Sequence, residues 1–248
     1  MHHFDDLRPE RFLTSHRIAA RLVRLYVGLL AYGIAIALIL RSGLGASPWD
    51  VLGQGVARVF GLTFGTSTIA ISIAVLLAWI PLRQRPGWGT LSNAALIGVF
   101  ADLGLAWIPS AAVLAGGPAG GPASGPALWQ TIVQALFLAA GLALLALASA
   151  LYIGAGLGPG PRDGLMTGLV ARTGFPVWAV RSGIELSVTA AGWLLGGTVG
   201  IGTAVFAFAI GPLIQAALRV LRVELGSERR AQAPSAPAPR GFNAGAAR

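Results

Sequence analysis

The stretch Gly43-Leu44-Gly45-Ala46-Ser47-Pro48-Trp49-Asp50 occurs a second time, as Gly156-Leu157-Gly158-Pro159-Gly160-Pro161-Arg162-Asp163. The two copies stand 113 positions apart. Gly87-Trp88-Gly89-Thr90 recurs at the same offset as Gly200-Ile201-Gly202-Thr203, and Ile97-Gly98 recurs as Ile210-Gly211. Three matches at one spacing make the chain two copies of one unit. That limits the fold severely, because whatever one half forms the other must form as well.

Six apolar runs say what kind of unit it is. They lie near 23–41, 63–82, 90–109, 128–153, 176–196 and 202–222, each close to the ~20 residues a helix needs to cross a ~30 Å hydrocarbon core. Hydrophobic residues make up 55% of the chain and charged ones only 11%, against about 25% charged in a soluble domain. Pro81 and Pro109 fall where helices should stop and Pro176 where one should begin, while Pro212 inside the last run predicts a kink. The expected organisation is a basic cytoplasmic head over 1–21 and a first membrane repeat over 22–109. A flexible Gly/Pro-rich connector over 110–127, a second repeat over 128–222 and a disordered cytoplasmic tail over 223–248 follow.

Arginine placement gives the orientation. The net charge of +9 is carried without a single lysine; in a membrane chain such charge reads as a topology signal rather than as nucleic-acid binding. With the N-terminus inside, the inner segments hold Arg8 to Arg24, Arg83, Arg85, Arg162, Arg172 and the residues from Arg219 onward. The outer segments hold only Arg41 and Arg58. Both termini are therefore expected in the cytoplasm of a bacterium, with the inner membrane around the chain. Three spans per unit is an odd number, so the second copy sits upside down. The fold expected is all-α: six transmembrane helices as two inverted three-helix repeats, an arrangement typical of secondary transporters.

The duplicated motif is also the chemical centre. Ser47 reads as a helix N-cap, Pro48 as the first helical residue, and Asp50 as the third-position carboxylate of a capping box. Gly160, Pro161 and Asp163 take the same places in the second copy. From Pro48 to Phe60 a helix would be about 20 Å long, too short to cross. Asp50, Gln54 and Arg58 form a polar stripe on it, opposite Leu52, Val56, Val59 and Phe60. Two readings follow. The short helices lie flat in opposite interfaces with their aspartates only capping them, or both dip inward and hold a polar solute between them. On the second reading Asp50, Asp163 and Arg162 line the solute path. Gly45 and Gly158 then supply the irregular backbone beside it.

Ionisable groups inside apolar runs are costly and therefore informative. Asp102 has no partner nearby in sequence, and its counterpart at the common offset is Gln215. Arg181 and Glu185, four apart, can pair on one helix face. These three are the candidate coupling or gating groups. Gly61/Gly65 and Gly192/Gly196 have the spacing of close helix contacts. Thr198-Val199-Gly200-Ile201-Gly202 resembles a channel filter, but it joins two spans directly and reads as a turn. With no cysteine, no nucleophile–base pair and no nucleotide loop, the sequence predicts no enzyme, no metal and no cofactor.

The pattern Leu25-Tyr26-x-Gly28, Ser42-Gly43-Leu44-Gly45-x-x-Pro48-x-Asp50, together with Gly156-Leu157-Gly158-x-x-Pro161-Arg162-Asp163-Gly164-Leu165, resembles the YczE/YyaS/YitT group of bacterial integral membrane proteins. The resemblance covers roughly residues 22–222. It implies a polytopic protein of the cytoplasmic membrane and brings no substrate or catalytic residue with it. The function expected is a small secondary transporter or permease-like carrier of an unspecified small solute, in contact with the lipid bilayer and not with nucleic acid. The alternative is a non-transporting membrane scaffold, an assembly or regulatory partner.

Overall fold

The computed structural model of the chain describes residues 15–117 and 126–221. Among the described residues there are nine helices and no strand. They are α1 Ser15–Ser42, α2 Pro48–Phe60, α3 Phe64–Leu82, α4 Trp88–Trp107, α5 Ala111–Leu114, α6 Ala127–Ala155, α7 Pro161–Thr173, α8 Val177–Leu194 and α9 Ile201–Val220. The helix bounds repeat with the sequence motif. α2 and α7 are both 13 residues, α4 and α9 both 20, and in each pair the first residues are 113 apart.

Among the described residues five helices are long and apolar enough to cross a membrane: Ile18–Ser42, Phe64–Leu82, Trp88–Leu114, Ala127–Ala155 and Ile201–Val220. The sixth run, expected as a span over 176–196, forms α8 but is not among them. Arg181 and Glu185 lower its apolarity. α1 starts at Ser15, inside the stretch expected as a head, and the connector contributes the single turn α5. Most of the head, all of the tail and 118–125 of the connector lie outside the described residues.

Local sequence explains the helix ends. Ser47 and Thr63 cap α2 and α3 through their hydroxyls. α2 and α7 each begin on proline and end at a left-handed glycine, Gly61 at φ 65° and Gly174 at φ 72°, a conformation glycine adopts without Cβ strain. Pro81 falls one residue inside the end of α3, and α9 runs through Pro212 without a break in its helix assignment.

The core is the antiparallel pair α1 and α6. Leu25, Leu29, Ile36 and Ile39 pack with Leu138, Leu142, Leu145 and Tyr152. Gly28 and Gly141 let the two backbones approach, the small-residue contact that drives helix association where burial from water does not operate. Arg21 ties the end of the pair by donating to the carbonyls of Ala155 and Gly156, at 2.7 and 2.6 Å.

The halves interlock. α2 packs on α8, and α7 packs on α3. Gly192 of α8 sits so close to α2 that a Cβ there would lie 2.5 Å from the carbonyl carbon of Val51. On the other side Trp79 of α3 covers Gly164 and donates from Nε1 to the Pro161 carbonyl at 3.0 Å. The loops exchange hydrogen bonds in the same reciprocal way. Gly202 N–H donates to Leu44 O and Gly89 N–H donates to Leu157 O, both at 2.8 Å.

Candidate functional site at the two short-helix N-termini

The N-cap of α2 sets the first side of the site. Ser47 accepts from Asp50 N–H at 3.3 Å through its hydroxyl oxygen and donates that hydroxyl to Asp50 Oδ2. This departs from the expected capping box, because the carboxylate engages the cap side chain rather than the cap backbone. Asp50 is only 2% exposed, and its Oδ1 is buried without a hydrogen-bond partner. The facing cation is Arg162, in the first turn of α7, with Nη2 3.8 Å from that oxygen. The Arg162 guanidinium also lies over the Trp49 ring, 5.1 Å from its centroid, within cation–π range. Asp163 reaches back to the backbone of its own cap, Gly160. Burial pushes the carboxyls of Asp50 and Asp163 above the usual carboxylate range, with the positive charge of Arg162 opposing the rise in both.

Ser47, Trp49, Arg162 and Asp163 border a cavity of about 460 Å³, within the usual range of small-molecule pockets, and Asp50 lies just behind its wall, against Ser47 and Arg162. Tyr32, Asn93, Tyr152, Met166, Phe206 and Gln215 contribute to its wall. Arg181 and Glu185 line it too and pair at 3.0 Å. Many lining residues come as positions 113 apart: Pro48 with Pro161, Trp49 with Arg162, Thr68 with Arg181, Ser72 with Glu185, Ile97 with Ile210. Both halves thus contribute equivalent places, with the same side chain at the proline and isoleucine pairs and different ones at the other three.

Of the residues singled out from sequence, Arg162, Asp163, Arg181 and Glu185 line this cavity, and Asp50 is buried behind its wall, 3.8 Å from Arg162. Asp102 is not part of it. Its carboxylate accepts from Gly65 N–H at 2.6 Å, so it has a partner that sequence proximity could not reveal, and it joins α4 to the first turn of α3. Gly45 and Gly158 also lie away from the cavity wall. At φ 121° and 123° they bring their loops against Thr203 and Thr90 of the opposite half, where a Cβ would lie 2.7 and 2.9 Å from the threonine Oγ1. The polar stripe of α2 reaches the other half of the chain, although Arg58 at its end is exposed. Gln54 Oε1 accepts from Thr198 N–H at 2.8 Å and Arg58 reaches Gly196 O at 3.3 Å, while Val59 and Phe60 are exposed. The turn expected at 198–202 is present, with Gly200 as N-cap of α9.

Sequence reasoning missed Tyr32, Tyr152 and Trp49. Tyr152 donates to Gly158 O at 2.9 Å and so ties the cavity to the second loop. Trp49 was recoverable, because it occupies the position of Arg162 in the duplicated motif. Tyr32 and Tyr152 lie in apolar helices and carry no pattern that separates them from core residues.

The two halves differ in one respect that shapes the cavity. α3 and α4 touch at Gly65 and Gly98, where neither glycine leaves room for a Cβ. The counterpart of Gly98, Gly211 in α9, has nothing within 4 Å of a Cβ built on it. The counterpart of Gly65 is Trp178, 72% exposed. α8 and α9 are splayed where α3 and α4 are closed, and Arg181, Glu185, Ile214 and Gln215 on the splayed pair line the cavity.

Residues 19–219 match a family described as Family of unknown function (DUF6198). The chain belongs to this family. An uncharacterized protein of Haemophilus influenzae is 40% identical over 189 residues, 76% of this chain and 79% of that one. An uncharacterized membrane protein YczE of Bacillus subtilis is 33% identical over 192 residues, 77% of this chain and 80% of that one. An uncharacterized protein YyaS of the same organism is 36% identical over 80 residues, 32% and 40% of the two chains. The resemblance to YczE and YyaS read from the motifs is borne out, and no solved structure matches the chain. With a membrane-protein relative and five apolar helices, the protein is a multi-pass membrane protein surrounded by lipid.

Proposed function

We propose that this DUF6198 protein is a small secondary transporter or permease-like carrier, not an enzyme, working by alternating access between two inverted three-helix repeats. α8 completes the second repeat by spanning with its charged pair turned to the cavity rather than to lipid. Both termini lie on the cytoplasmic side of a bacterial inner membrane, as the arginine distribution requires. The observation that carries the reading is the meeting of two short-helix N-termini, one from each half, at one polar cavity beside Tyr32 of α1 and the C-terminal part of α6. Two flat interfacial helices would have kept Asp50 and Arg162 on opposite surfaces. Non-helical backbone at that depth is tolerated where it borders protein or an aqueous cavity.

The unequal halves support alternation. Closure of α3 on α4 and separation of α8 from α9 describe one of two states. The lining residues Asn93 on α4, Tyr152 on α6 and Gln215 on α9 lie toward the ends nearest the 156–160 loop. With the proposed orientation that end is cytoplasmic, so this is the inward-open state. The test compares solute levels in cells carrying wild type, the double variant Asp50→Asn/Asp163→Asn, or no protein, at matched membrane expression. At least one small solute should change with wild type and return to baseline with the double variant. A solute shift that the double variant retains in full would defeat the assigned roles, and no shift at all would leave the scaffold alternative.

A further inference from the structure

Building on the carrier reading, we infer that the cavity takes a small zwitterion, an ammonium carboxylate whose carboxylate meets Arg162 on the wall and whose ammonium reaches Asp50 just behind it. The strongest sign is that these two groups face each other incompletely. At 3.8 Å they attract but do not hydrogen-bond. Asp50 Oδ1 is a buried acceptor lacking a donor. Arg162 makes no protein hydrogen bond among the described residues, only this ion pair and its contact with the face of Trp49. A buried acceptor left unsatisfied is costly and calls for a donor, and a fork of five N–H donors bordering a cavity calls for an acceptor such as a carboxylate. One molecule bearing both groups fills both needs.

The charge balance selects the same class. The cavity wall carries two carboxylates, Asp163 and Glu185, and two guanidiniums, Arg162 and Arg181, with a third carboxylate, Asp50, directly behind Arg162. The two helix N-termini add roughly half a positive charge each, which brings the site close to neutrality. A lone anion or a lone cation would upset that balance in a poorly solvated place, whereas a zwitterion preserves it. The helix ends themselves do not form a free anion site, because Ser47 takes the Asp50 N–H and Asp163 takes the Gly160 backbone. Trp49, Tyr32, Ile97, Phe206 and Ile210 give the rest of the pocket an apolar wall, suited to an uncharged side chain on the same molecule.

The experiment titrates the twenty standard free amino acids into the full-length protein in lipid nanodiscs by calorimetry. Each one that binds is then compared with its methyl ester, which keeps only the ammonium, and its deaminated acid, which keeps only the carboxylate. We expect at least one amino acid to saturate the site, with ester and acid each at least ten-fold weaker. Asp50→Asn should weaken the amino acid and the ester at least ten-fold while leaving the acid unchanged. Arg162→Gln should weaken the amino acid and the acid while leaving the ester unchanged. That crossed pattern cannot arise from misfolding, since each variant retains one probe. Binding of no amino acid, equal binding of acid or ester alone, or binding indifferent to both variants would overturn the assignment. Liposome flux separates this from the carrier reading. Crossed binding without movement keeps the zwitterion site and ends the carrier, while movement of a different solute class keeps the carrier and ends the zwitterion.

Discussion

Replacing Asp102 by alanine tests whether the α3–α4 contact is a gate. In the structure the Asp102 carboxylate accepts from Gly65 N–H at 2.6 Å, and Gly65 is the second residue of α3, where helix N–H groups have no intrahelical partner. A hydrogen bond to a charged group is worth about 1.5–3 kcal/mol, so its loss should cost the closed arrangement about 2 kcal/mol. If α3 and α4 separate in the other state of the carrier, the contact exists only in this one. At 1.4 kcal/mol per factor of ten, Asp102→Ala then shifts the equilibrium roughly 30-fold toward separation, turning a ~1% population into about a quarter. The chain has no cysteine, so spin labels at Leu62→Cys and Trp107→Cys, 41% and 81% exposed, report the α3–α4 distance in nanodiscs. Alanine should add a longer distance, and Asp102→Asn, which keeps an acceptor oxygen, should add less of it. An unchanged single distance accompanied by a lower melting temperature would make Asp102 a static cap and refute the gate.

Three further outcomes follow from other parts of the fold. Gly192→Leu places atoms into the α2 backbone and should destabilise by about 1–3 kcal/mol or more. Gly183→Ala, with nothing within 4 Å, should stabilise α8 by about 0.5–1 kcal/mol. Thermal unfolding of the two variants should therefore move in opposite directions. Single cysteines at Leu62 and Phe175, both exposed at the ends of the short hairpins, should react with an impermeant maleimide from opposite faces; reaction from the same face would end the inverted arrangement. Burial raises the Asp163 carboxyl in the folded state, so the folded state holds that proton more tightly than the unfolded one. Stability should fall as pH rises from the ordinary carboxylate range, and Asp163→Asn should flatten that slope in pH-dependent melting.

The duplication made the element bounds legible, because Pro48 and Pro161 open helices that Gly61 and Gly174 close, and each signal is local. The convergence of Asp50 with Arg162 was legible only as one of two options. Proline and glycine fix where a helix starts, not how deeply it dips. The partner of Asp102 lies 37 positions away, a distance across which spacing carries no information. Gln54 and Arg58 of the α2 stripe reach the loop between α8 and α9, 144 and 138 positions away, which spacing along one helix does not reveal. Glycine pairs were half legible. Gly65 and Gly192 make the close contacts their spacing suggests, but Gly61 and Gly196 serve as left-handed turns.

The asymmetry of the halves was present in the sequence all along, at the position where Trp178 answers Gly65. Two helices approach to backbone contact most readily where both offer small residues. α3 and α4 do so at Gly65 and Gly98, but α9 offers Gly211 to a helix that carries tryptophan in the matching place. α8 and α9 therefore lack the glycine pair on which α3 and α4 close. Any closed state on that side must be sealed by Trp178 and its apolar neighbours, at a wider helix separation. A carrier built this way would have one tight gate and one soft one, and the state with the tight gate shut is the one this sequence favours.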